Sequence, residues 1–205
     1  MLTYLLELDR EALLFINSIN SPLWDTIMFW ITYKWTWAPL YILFVIILIY
    51  RERSYRVIFT IIFAALVVTF CDQLAVFVRG VVERPRPTHE PELANLLHLV
   101  TNPFSGNPVR GGQFGFFSAH AANSFGAAAY LTKQFKNYKW TVFLFSWAAI
   151  VSYSRMYLGV HYPLDIICGA LTGVLIGITC SVLKDRTADY FMQKYFNQIK
   201  WKQSR

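Results

Sequence analysis

Charge is scarce in this chain. Asp, Glu, Lys and Arg make up 15% of its 205 residues, against roughly a quarter in an ordinary soluble domain. With 56% hydrophobic and 18% aromatic residues and a mean hydropathy of +0.38, that shortage argues against a soluble globule and for a lipid bilayer. Cysteine is sparse too. Cys71, Cys168 and Cys180 are an odd set, with no C-x-x-C and no histidine at zinc spacing, which argues against a disulfide framework or a structural metal site. All three fall in apolar runs and read as small buried hydrophobes. The N-terminus has no basic n-region and no A-x-A-like cleavage site, and acids interrupt its apolar stretch, so it does not read as a signal peptide. No fixed-period repeat and no low-complexity segment is visible. The length allows one compact bundle rather than two domains.

What the chain has instead is apolar runs. Trp35–Tyr50, Val57–Val78, Phe114–Leu131, Trp140–Leu158 and Pro163–Leu183 each approach the roughly 20 residues of a spanning helix. Leu2–Ile19 carries Glu7, Asp9, Arg10 and Glu11 among its leucines. It reads either as an amphipathic helix at the interface or as a poor first span. Ser21–Tyr33 is short and contains Asp25. The expected fold is therefore an all-α polytopic membrane helix bundle of five to six transmembrane helices. Residues 1–34 form an N-terminal interfacial or first helical region, 57–183 a catalytic core, and 184–205 a basic tail.

Lysine and arginine in the loops orient the bundle. Arg51, Arg53 and Arg56, then Lys133, Lys136 and Lys139, then Lys184, Arg186, Lys194, Lys200, Lys202 and Arg205 all fall on one side if the spans alternate. That side is expected to be cytoplasmic. The net charge of +7 then reads as topology and contact with anionic membrane lipids, not nucleic-acid binding.

Three clusters fall together on the opposite side. They are Arg79-x6-Arg86-Pro87, Phe117-Ser118-Ala119-His120 and Ser154-Arg155-x5-His161-x3-Asp165. Arg79 ends the second run, His120 lies near the start of the third, Arg155 ends the fourth, and His161 precedes the fifth. Charge near a bilayer core is expensive and marks functional sites. An anion cradle, two imidazoles and a carboxylate suit phosphoryl transfer at a membrane surface.

These motifs resemble the signatures of the type-2 phosphatidic acid phosphatase superfamily, K-x6-R-P, P-S-G-H and S-R-x5-H-x3-D. The third is matched in full by Ser154, Arg155, His161 and Asp165. The first is matched with Arg79 in place of lysine. The second is matched loosely, with Phe117 for proline and Ala119 for glycine. The likeness runs from about Val57 to Leu183. It implies an integral membrane phosphatase acting on a lipid phosphate, without cofactor or metal, in which His161, His120 and Asp165 are catalytic.

The chemistry of the residues runs parallel. A neutral His161 nitrogen can attack phosphorus and form a phosphoenzyme. Asp165, four residues on, can fix its tautomer and stabilise the developing positive charge. His120 can protonate the leaving group. Arg79, Arg86 and Arg155 offer fork-shaped donors to phosphate oxygens. Ser118 is a natural N-cap that leaves its hydroxyl and nearby backbone N–H groups aimed at the bound phosphate, and Ala119 retains the backbone N–H there.

Each residue alone has a plainer reading. His120 could be a helix-start hydrogen bonder, and the arginines could snorkel to the interface. Asp165 could cap a helix or pair with Arg155. Arg84 and Glu83, outside the signature, read as a local ion pair or loop solubilisers. Asp72 in the second run reads as a buried hydrogen bond to a neighbouring helix or a residue near the interface. Thr88–Gln113, with His89, His98 and Arg110, reads as a long exposed loop, and Trp24, Trp30, Trp35 and Trp37 as an interfacial belt.

The expected function is hydrolysis of a lipid phosphate monoester or pyrophosphate on the non-cytoplasmic face of a bacterial inner membrane. Undecaprenyl pyrophosphate is slightly favoured over phosphatidylglycerol phosphate, phosphatidic acid and a lipid A phosphate. A lipid-linked phosphotransferase and a non-enzymatic lipid transporter or scaffold are the alternatives. A vanadium-dependent haloperoxidase shares the anion site but is remote. The sequence names no protein partner.

Overall fold

In lipid, backbone N–H and C=O groups must be satisfied within the segment, so long apolar runs without breakers become helices. The computed structural model describes residues 2–52 and 54–203. Arg53 and Arg205 of the basic set lie outside the described residues, as do the side chains of Lys200 and Lys202. The helices are α1 (Leu2–Ser18), α2 (Pro22–Thr32), α3 (Ala38–Arg51), α4 (Arg56–Val82), the single turn α5 (Pro91–Ala94), α6 (Ala119–Phe135), α7 (Tyr138–Tyr157) and α8 (Pro163–Gln203). Among the described residues, three segments are long and apolar enough to cross a membrane: Lys34–Arg51, Arg56–Val82 and Pro163–Lys194.

Of the remaining two core helices, α6 is less apolar for a structural reason. α6 sits at the centre, packed against α4, α7 and α8, and its buried positions are largely small: Ala121, Ala122, Ser124, Gly126, Ala128 and Ala129. Small residues let helix backbones approach where lipid offers no hydrophobic drive for association. The α6–α8 contact uses this closely. A Cβ added at Gly173 would lie 2.1 Å from the Ala122 carbonyl oxygen, and one at Gly177 would lie 2.3 Å from that of Gly126. Gly173→Ala is therefore expected to force the two helices apart and cost about 1–3 kcal/mol or more. A lowered thermal midpoint in detergent checks it; an unchanged midpoint contradicts this packing.

α1 is amphipathic in an inverted sense. Asp9, Leu13 and Asn17, at i, i+4 and i+8, are its buried stripe, while Tyr4, Leu5, Leu8 and Phe15 are exposed. Leu5, Leu6, Leu8 and Phe15 face away from the protein while Asp9 and Asn17 face in, and Glu7 and Glu11 are exposed beside the leucines. Asn17 donates to the Tyr157 and His98 carbonyls at 2.7 and 3.0 Å and accepts from the His98 N–H at 2.8 Å.

The element boundaries depart from the hydropathy in three places. The third run does not become helical at Phe114. The helix begins at Ala119, where the Ser118 side chain accepts from the Ala121 N–H as N-cap, and Phe114 and Gly115 pair instead with Pro85 and Arg84 in the loop after α4. The last helix does not stop at Leu183. It runs to Gln203, with no proline or glycine to end it, so residue 184 marks no structural boundary, and Lys184 is buried. The long loop is not structureless. It holds a 3-10 turn at Pro87–His89 and the turn α5, the Thr88 hydroxyl donates to the Arg110 carbonyl at 2.8 Å, and His98 contacts Asp25 at 2.9 Å. His98 is thereby tied into the fold, whereas His89 stays exposed, its ring meeting the adjacent Thr88 hydroxyl at 3.1 Å. Cys71 and Cys180 are buried and Cys168 is partly buried, all three free.

Arg51, Arg56, Lys133, Lys136 and Lys184 come together around one cavity. It lies where α3 and α6 end and α4 begins, the end of the bundle opposite the three motifs.

Candidate active site

Helix ends bring the motif residues together. Arg79 stands in the last turn of α4, His120 in the first turn of α6 and Arg155 in the last turn of α7. His161 lies in the short α7–α8 connection and Asp165 in the first turn of α8. Arg86 follows α4 in a loop held by backbone bonds to the segment before α6. The Arg86 N–H donates to the Gln113 carbonyl, and the Gly115 N–H to the Arg84 carbonyl, each at 2.9 Å. Arg79, Arg86, Ala119, His120 and Arg155 line one cavity of about 350 Å³.

The nucleophile candidate is fixed on both ring nitrogens. Arg86 Nη1 lies 2.8 Å from His161 Nε2, and a guanidinium can only donate. Nε2 therefore carries the lone pair. Nδ1 then carries the proton and donates to Asp165 Oδ2 at 3.2 Å. This is the tautomer that an attacking Nε2 requires, with the carboxylate behind it as orienter. Asp165 also accepts the Tyr162 N–H at 3.1 Å, and its own carbonyl accepts the Ser118 N–H at 3.0 Å. The Ser118 hydroxyl is thus engaged in capping, and what Ser118 supplies locally is the helix N-terminus behind His120.

Three buried or half-buried arginines face the cavity, and among the described residues none of them has a carboxylate partner. Arg79 donates to the Phe117 carbonyl at 3.2 Å, Arg86 to the Val160 carbonyl at 3.0 Å, and Arg155 to the Thr32 hydroxyl. The Nε atom of each is buried without an acceptor. The plain alternative, an Arg155–Asp165 pair, is not what forms. Burial and the nearby Arg79 charge pull the Arg86 guanidinium down to about 10, which still leaves it cationic at neutral pH. Three converging cations without anionic partners are costly unless an anion binds among them.

Arg84 is neither a loop solubiliser nor paired locally with Glu83, but joins an ion pair made at long range. It is 19% exposed and forks between two buried carboxylates, Asp165 at 2.9 Å and Asp9 of α1 at 2.7 Å, while stacking on the Tyr162 ring at 3.9 Å. Asp9 in turn accepts the Leu164 N–H at 2.8 Å, one of the free donors at the start of α8. The inverted helix α1 thereby clamps the connection that carries His161. Gly115 is a second residue that the motifs do not flag. A Cβ there would lie 3.0 Å from Arg86 Cγ and 3.3 Å from Asp165 Oδ2, so its bare backbone lets the loop close over the catalytic group. Asp72 accepts from Asn123 of α6 at 2.7 Å, an inter-helix hydrogen bond as expected, though only partly buried.

The PAP2 superfamily model matches residues 56–188, which contain all three motifs. The chain belongs to the PAP2 superfamily. It is 40% identical over 175 residues to a lipid A 4'-phosphatase of Bacteroides thetaiotaomicron, covering 84% of this chain and 75% of the relative. It is 35% identical over 177 residues to a lipid A 4'-phosphatase of Porphyromonas gingivalis, covering 85% and 72%. Among solved structures, a transmembrane PAP2-type phosphatidylglycerolphosphate phosphatase of Bacillus subtilis shares the fold with TM-score 0.65 at 20% identity, over 89% of this chain and 87% of that one. Aquifex aeolicus LpxE matches with TM-score 0.54 and 28% identity over 83% and 92%. This PAP2 protein is an integral membrane lipid phosphatase, a phosphoric ester hydrolase.

Burial, and then the surrounding arginines led by Arg86, hold His161 well below the usual imidazole value of 6.5. The sign of the linkage follows. Below that value the unfolded chain takes up a proton at this position that the folded chain refuses, so stability falls as pH drops below about 6.5. The thermal midpoint of the PAP2 protein should fall on that acid side, and His161→Gln should lose part of the fall. A midpoint whose pH dependence is identical in the variant contradicts a buried, neutral His161.

Proposed function

We propose that this PAP2 protein removes a phosphate monoester from lipid A or a closely related saccharide lipid, through a phosphohistidine at His161. The observation that carries phosphate chemistry is the set of three arginines, converging without carboxylate partners on one cavity, with Arg86 reaching from it to His161 Nε2 at 2.8 Å. A phosphate entering it would take the guanidinium donors on its oxygens. Arg86, now bonded to Nε2, would move its donor onto the phosphate and free the lone pair for in-line attack. Asp165 would stabilise the imidazolium as it forms, and His120 would protonate the departing sugar oxygen. Water would then attack the phosphohistidine, with His120 as base, releasing inorganic phosphate. The arginines supply the charge neutralisation that other phosphotransferases draw from Mg²⁺, so no metal is required.

The two relatives at 40% and 35% identity bear the name lipid A 4'-phosphatase, which favours a lipid A phosphate over undecaprenyl pyrophosphate. The basic residues gathered at the opposite end of the bundle support an active site on the periplasmic side of a bacterial inner membrane. One domain over the whole chain fits the way α1 completes the site through Asp9. The deciding experiment is phosphate release by purified protein from lipid A, phosphatidic acid, phosphatidylglycerol phosphate and undecaprenyl pyrophosphate with EDTA present. Fastest release from lipid A, undiminished by EDTA, is expected. Faster release from undecaprenyl pyrophosphate overturns the substrate, and loss of activity with EDTA overturns the metal-free mechanism.

A further inference from the structure

The cavity that holds the arginines does not end at them. α4, α6 and α7 each place a motif residue at the mouth and a second polar or aromatic residue on the same face deeper in the bundle. On α4 Asp72 lies seven residues before Arg79, on α6 Asn123 lies three after His120, and on α7 Trp147 lies eight before Arg155. These spacings bring each pair onto one helix face, about one to two turns apart. All six residues line the same cavity.

The deeper wall is unusual for an apolar bundle. Asp72 and Asn123 are bonded to each other at 2.7 Å, yet the Asn123 Oδ1 atom is buried with no donor. Trp147 is 5% exposed, and its indole Nε1 has no acceptor. Its ring is met edge-on by Trp37 at 5.6 Å, and Trp37 also lines the cavity. Trp37 is only partly exposed and donates its own indole N–H to the Ile31 carbonyl at 2.7 Å. It therefore stands apart from Trp24, Trp30 and Trp35, which are well exposed and fit an interfacial belt. An alkyl or polyprenyl chain in this space would leave the unpartnered donor and acceptor dry and unpaired, with their desolvation uncompensated. A ring bearing hydroxyls and an amide would pair with them and lay an apolar face on the indoles.

We propose that Asp72, Asn123, Trp147 and Trp37 form a subsite for the saccharide that carries the phosphate, so that the protein selects phosphate leaving groups rich in hydroxyl and amide groups. This inference rests on the lipid phosphatase reading and adds the group on the far side of the scissile bond. These residues recognise the leaving group and take no part in bond making.

The test compares kcat/KM for lipid A with kcat/KM for phosphatidic acid in wild type, Asn123→Ala and Trp147→Phe. Phenylalanine keeps a ring and deletes only the N–H donor and part of the bulk. Wild type should prefer lipid A, and each substitution should lower the lipid A to phosphatidic acid ratio by roughly 10- to 100-fold. The thermal midpoint of each variant reports whether it folds, and because a ratio is read, partial misfolding lowers both numbers without moving it. A ratio that stays at the wild-type value in both variants overturns the subsite. If wild type releases phosphate from phosphatidic acid but not from lipid A, the saccharide subsite is overturned while the phosphatase reading stands. Release from neither lipid overturns the phosphatase reading and the subsite with it.

Discussion

His161→Ala is expected to reduce phosphate release by on the order of 10⁴-fold or more. The side chain it deletes is 1% exposed and bonded on both nitrogens, to Arg86 and to Asp165. No other imidazole has that arrangement among the described residues, so no neighbour can take over attack at phosphorus. Water could still reach a phosphate held by the three arginines, which sets a residual rate without a covalent intermediate. The measurement is phosphate release in detergent, with the thermal midpoint showing that the variant folds. Retention of more than a few per cent of wild-type kcat by a folded variant contradicts the nucleophile assignment. His120→Ala should be less severe on substrates with a better leaving group, because it removes only proton transfer.

Arg84→Ala carries the second large effect, and the larger one on stability. The side chain joins Asp9, which is 4% exposed, to Asp165, which is fully buried. Its removal strands two buried carboxylates, and breaking a buried pair typically costs about 3–5 kcal/mol. The same loss frees the α7–α8 connection and misplaces His161, so kcat should fall on the order of 100-fold in whatever protein remains folded. Arg84→Lys keeps the charge but cannot fork between two carboxylates at fixed angles, and should fall between wild type and alanine on both measures. A wild-type midpoint and kcat for Arg84→Ala would show that the clamp contributes nothing.

The sequence made the motif residues legible because they sit at helix ends. There the spacing within each motif is local, and alternation of the spans carries Arg79, His120, Arg155 and His161 to one surface. Arg84 was not legible in the same way. Its decisive partner, Asp9, is 75 residues away, in a helix whose acids all look solvated until the fold shows Asp9 turned inward while Glu7 and Glu11 stay exposed. Hydropathy misplaced the start of α6 because Phe114, Phe116 and Phe117 are as apolar as a span. Ser118, which stops them from being one, was visible as a motif member, a phosphate ligand and a cap, but not as the boundary of the span. The end of α8 was misplaced for the converse reason: charge begins at Lys184, but nothing there breaks a helix. The arginine cradle could be listed from sequence, whereas the fact that its members lack carboxylate partners could only come from the structure. The same is true of the unpartnered Trp147 and Asn123.

The claim on which the rest depends is that phosphorus is transferred twice, first to His161 and then to water. It is tested most directly by the stereochemistry at phosphorus, using a lipid phosphorothioate made chiral with oxygen isotopes and hydrolysed in isotopically labelled water. Two in-line displacements predict retention of configuration in the released thiophosphate. Inversion would mean a single direct attack by water, and would contradict His161 as nucleophile.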